Sequence, residues 1–446
     1  YNRKVINMLK KIKLKNFRSF GNLEADFTTG SGKAKKLVVI YGENGSGKSN
    51  FITSILFLKS TLNTLSFQER LNSMIETNEV EKYDEKTLKS LIKITKSNLS
   101  EEIKNNKMID SDENMVLEFN YSYSNNKEAL YRLEFDNDKI VYEQLSAQLE
   151  KNMVKIFEIS EDKIYFNKHL FINDKYENEI KEKTLKYFGK HSFISIIFNE
   201  RHLNNNKYIN QNISNDFLNA IDELNNCSVW CKNVRHEEGF IYTSKIIFNL
   251  SNGNIPKDEK EELLKIEEAL NIYFSSLYSD IKSVHYNIQE EDNKIKYSLC
   301  FDKLINGKIR SIPFSLESTG TNKLLNIFPY IYNCLNNETV FIDEIDSGIH
   351  DVLMSYLLVN LEKQIKGQLI ITTHNTLLLQ KIKTDYLYVI NVDANGNKSL
   401  NCIKDFGRIQ NNHNVTNRYI NGIFGGIPQP GYMDLQEIMS TIDNRR

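Results

Sequence analysis

Residues 42–49 read GENGSGKS, and the residues on either side decide what that glycine run means. Before it stands Leu37-Val38-Val39-Ile40-Tyr41, a short β-branched apolar run of the kind that forms a central parallel strand. After Lys48 comes SNFITSILFLKSTL, in which Phe51, Ile55, Leu56 and Leu58 suit a packed helix. A buried strand, a glycine loop and a helix N-terminus together make a phosphate cradle, because the backbone N–H groups there supply a positive field. The pattern GxxxxGK[ST] is complete in Gly42, Gly47, Lys48 and Ser49, with Asn44, Gly45 and Asn50 in the same cradle. Lys48 is expected to reach the β and γ phosphates of a nucleotide, and the Ser49 hydroxyl to ligate Mg²⁺.

A near copy, TGSGKAK at 29–35, fails the same test. Gly32-Lys33 is followed by Ala34, which has no hydroxyl for a metal, and the segment precedes the strand. It reads as a turn between strands.

A phosphate loop alone does not say whether a nucleotide is hydrolysed. The carboxylates come from TVFIDE at 339–344, an apolar strand ending in Asp343 and Glu344, and from QLIITTH, a further strand ending at His374. Asp343 is placed to hold Mg²⁺, Glu344 to polarise an attacking water, and His374 to sense the γ phosphate.

Together GENGSGKS, FIDEIDSGIH and IITTH resemble the ABC-type ATPase head of the RecF, Rad50, SMC and overcoming-lysogenization-defect (OLD) group. In that group a signature segment lies before the carboxylate strand and completes the site of a second subunit. The matching stretch here is SLESTGTNKLLNIFPYI at 315–331, so the resemblance implies that Ser318 and Gly320 meet the γ phosphate in trans and that Asp346 lies at the dimer interface. The likeness is nearest to stand-alone AAA15-like, OLD-like ATPases of bacterial abortive-infection systems, of the AriA or AbiL type. KIKLKNFRSFGNLEADF resembles the opening strand pair of that branch, with Arg18 near the nucleotide, and NRYINGIFGGIP at 417–428 resembles its closing motif. Asp351 stands where the branch usually has proline, Thr319 where transporters have glycine, and no Q-loop glutamine is placed.

The fold class expected is α/β: an ABC-type P-loop ATPase head with a mixed β-sheet, interrupted by a mostly helical insertion. Its segments are 1–60 with the phosphate loop, a helical insertion at 61–112, an antiparallel meander at 113–170 and a mostly helical lobe at 171–290. The second part of the head follows at 291–395, and a tail or docking segment at 396–446. Within the lobe, residues 213–235 and 257–284 read as helix. No sustained heptads appear, against a long coiled coil. KYSLCFDKLINGKIRSIPF reads as a hairpin turning at Asn306-Gly307.

Composition proposes no partner: 57 basic and 58 acidic groups leave a formal charge of −1. The five cysteines are odd in number and mostly scattered, which fits free thiols in a reducing compartment, and Cys227, Cys231 and His236 read as an apolar patch in preference to a metal site. No apolar run nears the roughly 18 residues a membrane span needs, so the expected location is cytoplasmic. The basic opening, Arg3, Lys4, Lys10, Lys11, Lys13, Lys15 and Arg18, reads as the solvent face of an edge strand in preference to a nucleic-acid patch.

The resemblance implies ATP and Mg²⁺ as cofactors and a head-to-tail homo-oligomer. It also implies a separate effector such as a Toprim- or RloB-type nuclease, since no Asp-x-Asp pair with a further glutamate follows His374. DNA or a phage-encoded trigger is a further candidate partner; a membrane is not. Two alternatives stand beside this reading: a RecF-like DNA repair ATPase, and a nucleotide-locked scaffold with little turnover.

Overall fold

The computed structural model describes residues 8–65, 98–124, 126–150, 152–232, 238–241, 249–291, 293–407, 414–428 and 433–443. The chain opens with β1 (Met8–Phe17), β2 (Phe20–Asp26) and β3 (Leu37–Tyr41), followed by the helix Lys48–Leu62. After the helix Leu99–Asn106 come β4 (Met115–Tyr123), β5 (Lys127–Phe135), β6 (Ile140–Gln148), β7 (Met153–Ser160) and β8 (Lys163–Phe166). The helices Asp174–Tyr187, Phe193–Leu203, Asn206–Asn212 and Asn215–Asn225 lead to β9 (Cys227–Lys232), β10 (Glu238–Ile241) and β11 (Asn252–Pro256). Helix Lys260–Leu277, β12 (Ile281–Glu290), β13 (Lys294–Ile305) and β14 (Lys308–Pro313) precede helix Thr319–Leu335. The remainder is β15 (Thr339–Ile342), helix Asp351–Glu362, β16 (Gln368–Thr372), β17 (Leu387–Val392), β18 (Lys398–Cys402), and helices Val415–Ile420 and Leu435–Asp443.

The core sheet runs β10-β9-β15-β16-β3-β17-β18. Its five inner strands are parallel, and β10 and β18 close the two edges antiparallel. All residues of β3, β15 and β16 are buried, and their central residues are apolar, as burial on both faces requires. Alternate residues feed two cores. Val38 and Ile40 pack towards the meander, whereas Leu37, Val39 and Tyr41 pack towards the helices Lys260–Leu277, Thr319–Leu335 and Asp351–Glu362. Because the inner strands are parallel, the P-loop after β3, the carboxylates after β15 and His374 after β16 all emerge at one edge. The fold is thus the mixed α/β P-loop head expected from the motifs.

A second sheet, β2-β1-β4-β5-β6-β7-β8, is antiparallel throughout. Gln368 ties it to the core sheet, accepting from Leu9 N at 2.7 Å and donating to Leu9 O at 2.9 Å and Lys35 O at 2.8 Å. The third sheet is the hairpin family β11 to β14, with Asn306 and Gly307 both at positive φ in the tight turn between β13 and β14. TGSGKAK is a turn between β2 and β3, closed by Thr29 N donating to Lys33 O at 2.7 Å.

Four expectations change. Residues 213–235 are not one helix: the helix ends at Asn225, and CSVWCK becomes β9, paired in parallel with β15. A β-rich apolar run beside an unpaired central strand gains a full ladder of hydrogen bonds there. The segment 257–284 likewise stops being helical at Leu277 and enters β12, so 171–290 carries strands β9 to β12 as well as helices. β1 is not an edge strand; it lies between β2 and β4, and Lys10, Lys11, Lys13 and Lys15 each pair with a carboxylate at 2.6–2.7 Å. Finally, the segment 396–446 is no separate tail, because it begins with the edge strand β18 of the core sheet. Most of the helical insertion expected at 61–112, and His236, lie outside the described residues.

One buried carboxylate holds the meander to its covering helices. Glu143 on β6 accepts from Tyr131 Oη at 2.8 Å and from the Phe193 and Ile194 amides at 2.5 and 3.2 Å, where helix Phe193–Leu203 begins. Burial pushes its carboxyl up to about 7 against these three donors. The folded protein thus keeps a proton that the unfolded chain releases near 4.5, and this contribution to stability is lost as pH rises from there to about 7. Glu143→Ala leaves the Phe193 and Ile194 amides without their acceptor and the Tyr131 hydroxyl with Ser192 alone; we expect a loss of about 3 kcal/mol, read as a lower urea midpoint.

Candidate functional site

Gly47 is where the P-loop becomes a helix, and only glycine fits. Its φ is 111°, and a Cβ there would stand 2.8 Å from Phe20 Cζ. Since Gly47 has no side chain to cap the helix, the first-turn amides are left for a ligand. Inside the loop Lys48 is buried, and its Nζ donates to Gly42 O at 2.7 Å and Glu43 O at 3.0 Å. Burial lowers its pKa from the usual lysine value, while Asp343, Glu344, Asp346 and Glu43 pull it back up. Asn44 and Gly45 form the exposed apex, and Asn50 receives Arg18 Nη1 at 3.2 Å.

Asp343 follows β15 directly and is 5% exposed, so the carboxylate sits in the wall of the site and not on a solvated turn. Its amide donates to Trp230 O at 2.8 Å, continuing the parallel ladder with β9. Thr372 Oγ1 donates to Asp343 Oδ1 at 2.6 Å, and the Ser49 hydroxyl also bonds the carboxylate. Burial raises the Asp343 pKa above the usual value; those two hydroxyls and Lys48 oppose it. The same Thr372 Oγ1 accepts the Glu344 amide at 2.8 Å. Glu344 adopts φ 45°, a conformation that costs a β-carbon-bearing residue about 1 kcal/mol and is held here by that bond.

His374 N donates to Asp346 Oδ2 at 3.1 Å. Burial and the Lys48 charge push its imidazole below the ordinary histidine value, which keeps the ring neutral at pH 7. The structure therefore gathers Lys48, Ser49, Asp343, Glu344, Asp346 and His374 from three separated segments into one electrostatic cluster.

Arg18 is bound between two helices, donating from Nε to Asn106 Oδ1 at 2.8 Å and from Nη1 to Thr53 Oγ1 at 3.2 Å. Ser318 caps helix Thr319–Leu335, its Oγ accepting from Thr321 N at 3.2 Å. Gly320 packs on the segment after Asp346, where a Cβ would come within 2.7 Å of Gly348 O. His350 caps the next helix and Asp351 opens it, where an acid is favourable beside the helix N-terminus.

Thr372 and the closing motif complete the site; nothing in the sequence assigns Thr372 this role, while the closing motif reads either as a partner-docking element or as a tail packed on the core. A hydroxyl inside an otherwise apolar strand was the available signal for Thr372. The closing motif packs on the core: Tyr419 lies 5.5 Å from the Tyr41 ring, and its hydroxyl donates to Gly426 O at 3.0 Å. Gly426 has φ 66°, and a Cβ would stand 2.2 Å from Val389 Cγ1 and 3.4 Å from Gly42 Cα, so the motif presses against the base of the P-loop. Tyr41 Oη in turn donates to Asn375 O at 3.0 Å beside His374.

Among the described residues no group of three His, Cys, Asp or Glu side chains is placed to hold a metal alone. The oxygen pair Ser49 and Asp343 does fit Mg²⁺, which commonly takes one or two protein oxygens and completes its shell with phosphates and water. No helix among the described residues is long and apolar enough to cross a membrane.

The chain is similar to several known proteins. A relative from Helicobacter pylori described as "ATP/GTP phosphatase" is 22% identical over 378 residues, covering 82% of this chain and 85% of the relative. Among solved structures, the SMC head domain from Thermotoga maritima aligns at TM-score 0.37 and 15% identity, over 89% of this chain and 98% of that one. An SmcHead bound to the C-winged helix domain of ScpA aligns at TM-score 0.43 and 13% identity, over 88% and 97%. The family model described as "AAA domain, putative AbiEii toxin, Type IV TA system" matches residues 37–380, most of the chain, and the chain belongs to that family.

Proposed function

We propose that this chain binds Mg-ATP and hydrolyses it to ADP and phosphate at the Lys48–Asp343 cluster. The observation that carries the reading is the hydrogen-bonded set of Ser49, Asp343, Thr372 and Glu344 beside the buried Lys48. Lys48 and the helix amides hold the β and γ phosphates, Ser49 and Asp343 hold Mg²⁺, and Glu344 accepts the proton of the attacking water. The metal, when bound, neutralises phosphate charge. His374, neutral and anchored through Asp346, donates to the γ phosphate. The bond from the γ phosphorus to its bridging oxygen breaks as the water oxygen bonds to phosphorus.

The site is completed by a second copy, whose Ser318 and Gly320 bring a helix N-terminus to the γ phosphate. This predicts complementation. Lys48→Ala and Ser318→Arg are each inactive alone, but their mixture regains roughly a quarter to a half of wild-type turnover, because one paired site carries neither change. Phosphate release from the two chains, mixed and separate, measures this; a mixture as inactive as its parts overturns pairing in trans.

The wider role we propose is in bacterial anti-phage defence, as a nucleotide-controlled sensor or scaffold that restrains a separate toxic effector, such as a Toprim- or RloB-type nuclease. The toxin–antitoxin vocabulary of the family description supports it. Co-purification with the products of neighbouring genes is the test; neighbours confined to replication proteins count against it. The DNA-acting alternative draws no support from β1, whose lysines are neutralised by paired carboxylates.

A further inference from the structure

The hairpin that closes the core sheet brings a lysine to the P-loop apex. Lys398, the first residue of β18, donates to Gly45 O at 2.9 Å and to Ser19 Oγ at 2.9 Å. Ser19 Oγ also accepts from Asn50 Nδ2 at 2.8 Å, so one hydroxyl links the β1–β2 turn, the P-loop helix and β18. The ammonium stands 5.9 Å from the centre of the Phe20 ring, the ring that abuts Gly47.

Two consequences follow for a phosphate. In a trans peptide the carbonyl and the next N–H point in opposite directions, so drawing Gly45 O towards Lys398 turns the Ser46 amide away from it. That amide makes a long bond of 3.2 Å to Glu43 O, and the buried Ser46 hydroxyl has no hydrogen-bond partner among the described residues. Both groups are suited to an incoming anion. Lys398 is itself half-buried with two neutral acceptors; burial lowers its pKa and the Glu43 carboxylate draws it back up, so a phosphate nearby would add to the negative charge that favours its ammonium.

We propose that Lys398 is a positioning residue of the nucleotide site, which presets the P-loop apex through Gly45 and Ser19 and adds positive charge beside the phosphates. It lies beyond the segment 37–380 matched to the family, so nothing in that match assigns it a role. The inference rests on the ATP-binding reading.

Equilibrium binding of a fluorescent ATP analogue with Mg²⁺ to the full chain tests it. Lys398→Met should weaken binding about tenfold, Lys398→Arg should stay within about threefold of wild type, and Ser19→Ala should lie between them. The nucleotide-free unfolding midpoint of all three should match wild type. The inference is overturned if Lys398→Met binds as wild type does, or if weakened binding tracks a lowered midpoint that Lys398→Arg fails to restore. Should Lys398→Met not fold, Ser19→Ala decides: unaltered affinity there sinks the idea. A wild-type chain that binds no Mg-ATP overturns the proposed function itself, and this inference with it.

Discussion

Glu344→Gln lowers ATP turnover by about 10²–10⁴-fold and leaves Mg-ATP affinity nearly unchanged. The substitution keeps shape and the backbone bond from residue 344 to Thr372, so the positive-φ turn is preserved. What it removes is the carboxylate that accepts the water proton. Phosphate release under single-turnover conditions gives the rate, and fluorescence gives binding. The variant also separates turnover from assembly. If nucleotide-dependent pairing persists without hydrolysis, the scaffold alternative is favoured; if pairing is lost with turnover, that alternative fails.

Lys48→Ala should weaken Mg-ATP binding by about 100-fold, equivalent to about 2.7 kcal/mol. Among the described residues the buried ammonium donates to the Gly42 and Glu43 carbonyls, and its depressed pKa reports the cost of keeping it charged there. A triphosphate replaces those neutral acceptors with anionic oxygens, which is the change that favours binding. Stability should move little, because the two bonds are lost together with a buried ammonium whose desolvation opposes its charge. Calorimetric titration measures the affinity. Unaltered affinity would place the phosphates elsewhere and refute the assignment of GENGSGKS.

Features set by short-range rules were legible from the chain alone. GENGSGKS, its preceding strand and its following helix form a contiguous unit, and the apolar runs at 37–41, 340–342 and 369–371 mark strands buried on both faces. The Asn306-Gly307 turn is equally local, since two residues at positive φ suffice to reverse the chain. The carboxylates could be named as site residues because they end such strands, although the bonds among them could not be read.

What the tertiary structure decided is how distant segments meet. Thr372 bridges Asp343 and Glu344 only because β15 and β16 pair in register, and no spacing along the chain encodes that bridge. CSVWCK has a composition suited to a buried segment of either kind, and the vacant side of β15 made it a strand. The lysines of β1 became structural through carboxylates on β2 and β5 and at Glu113. Lys398 and Gly426 lie far from GENGSGKS in sequence and touch its surroundings in space, because β18 and the closing motif complete the edge of the sheet that carries the P-loop. The sequence by itself determined a phosphate loop, its strands and its carboxylates, all local in origin; only the packed sheet decided which side chains hold them in place, because register and edge pairing are properties of the assembled chain.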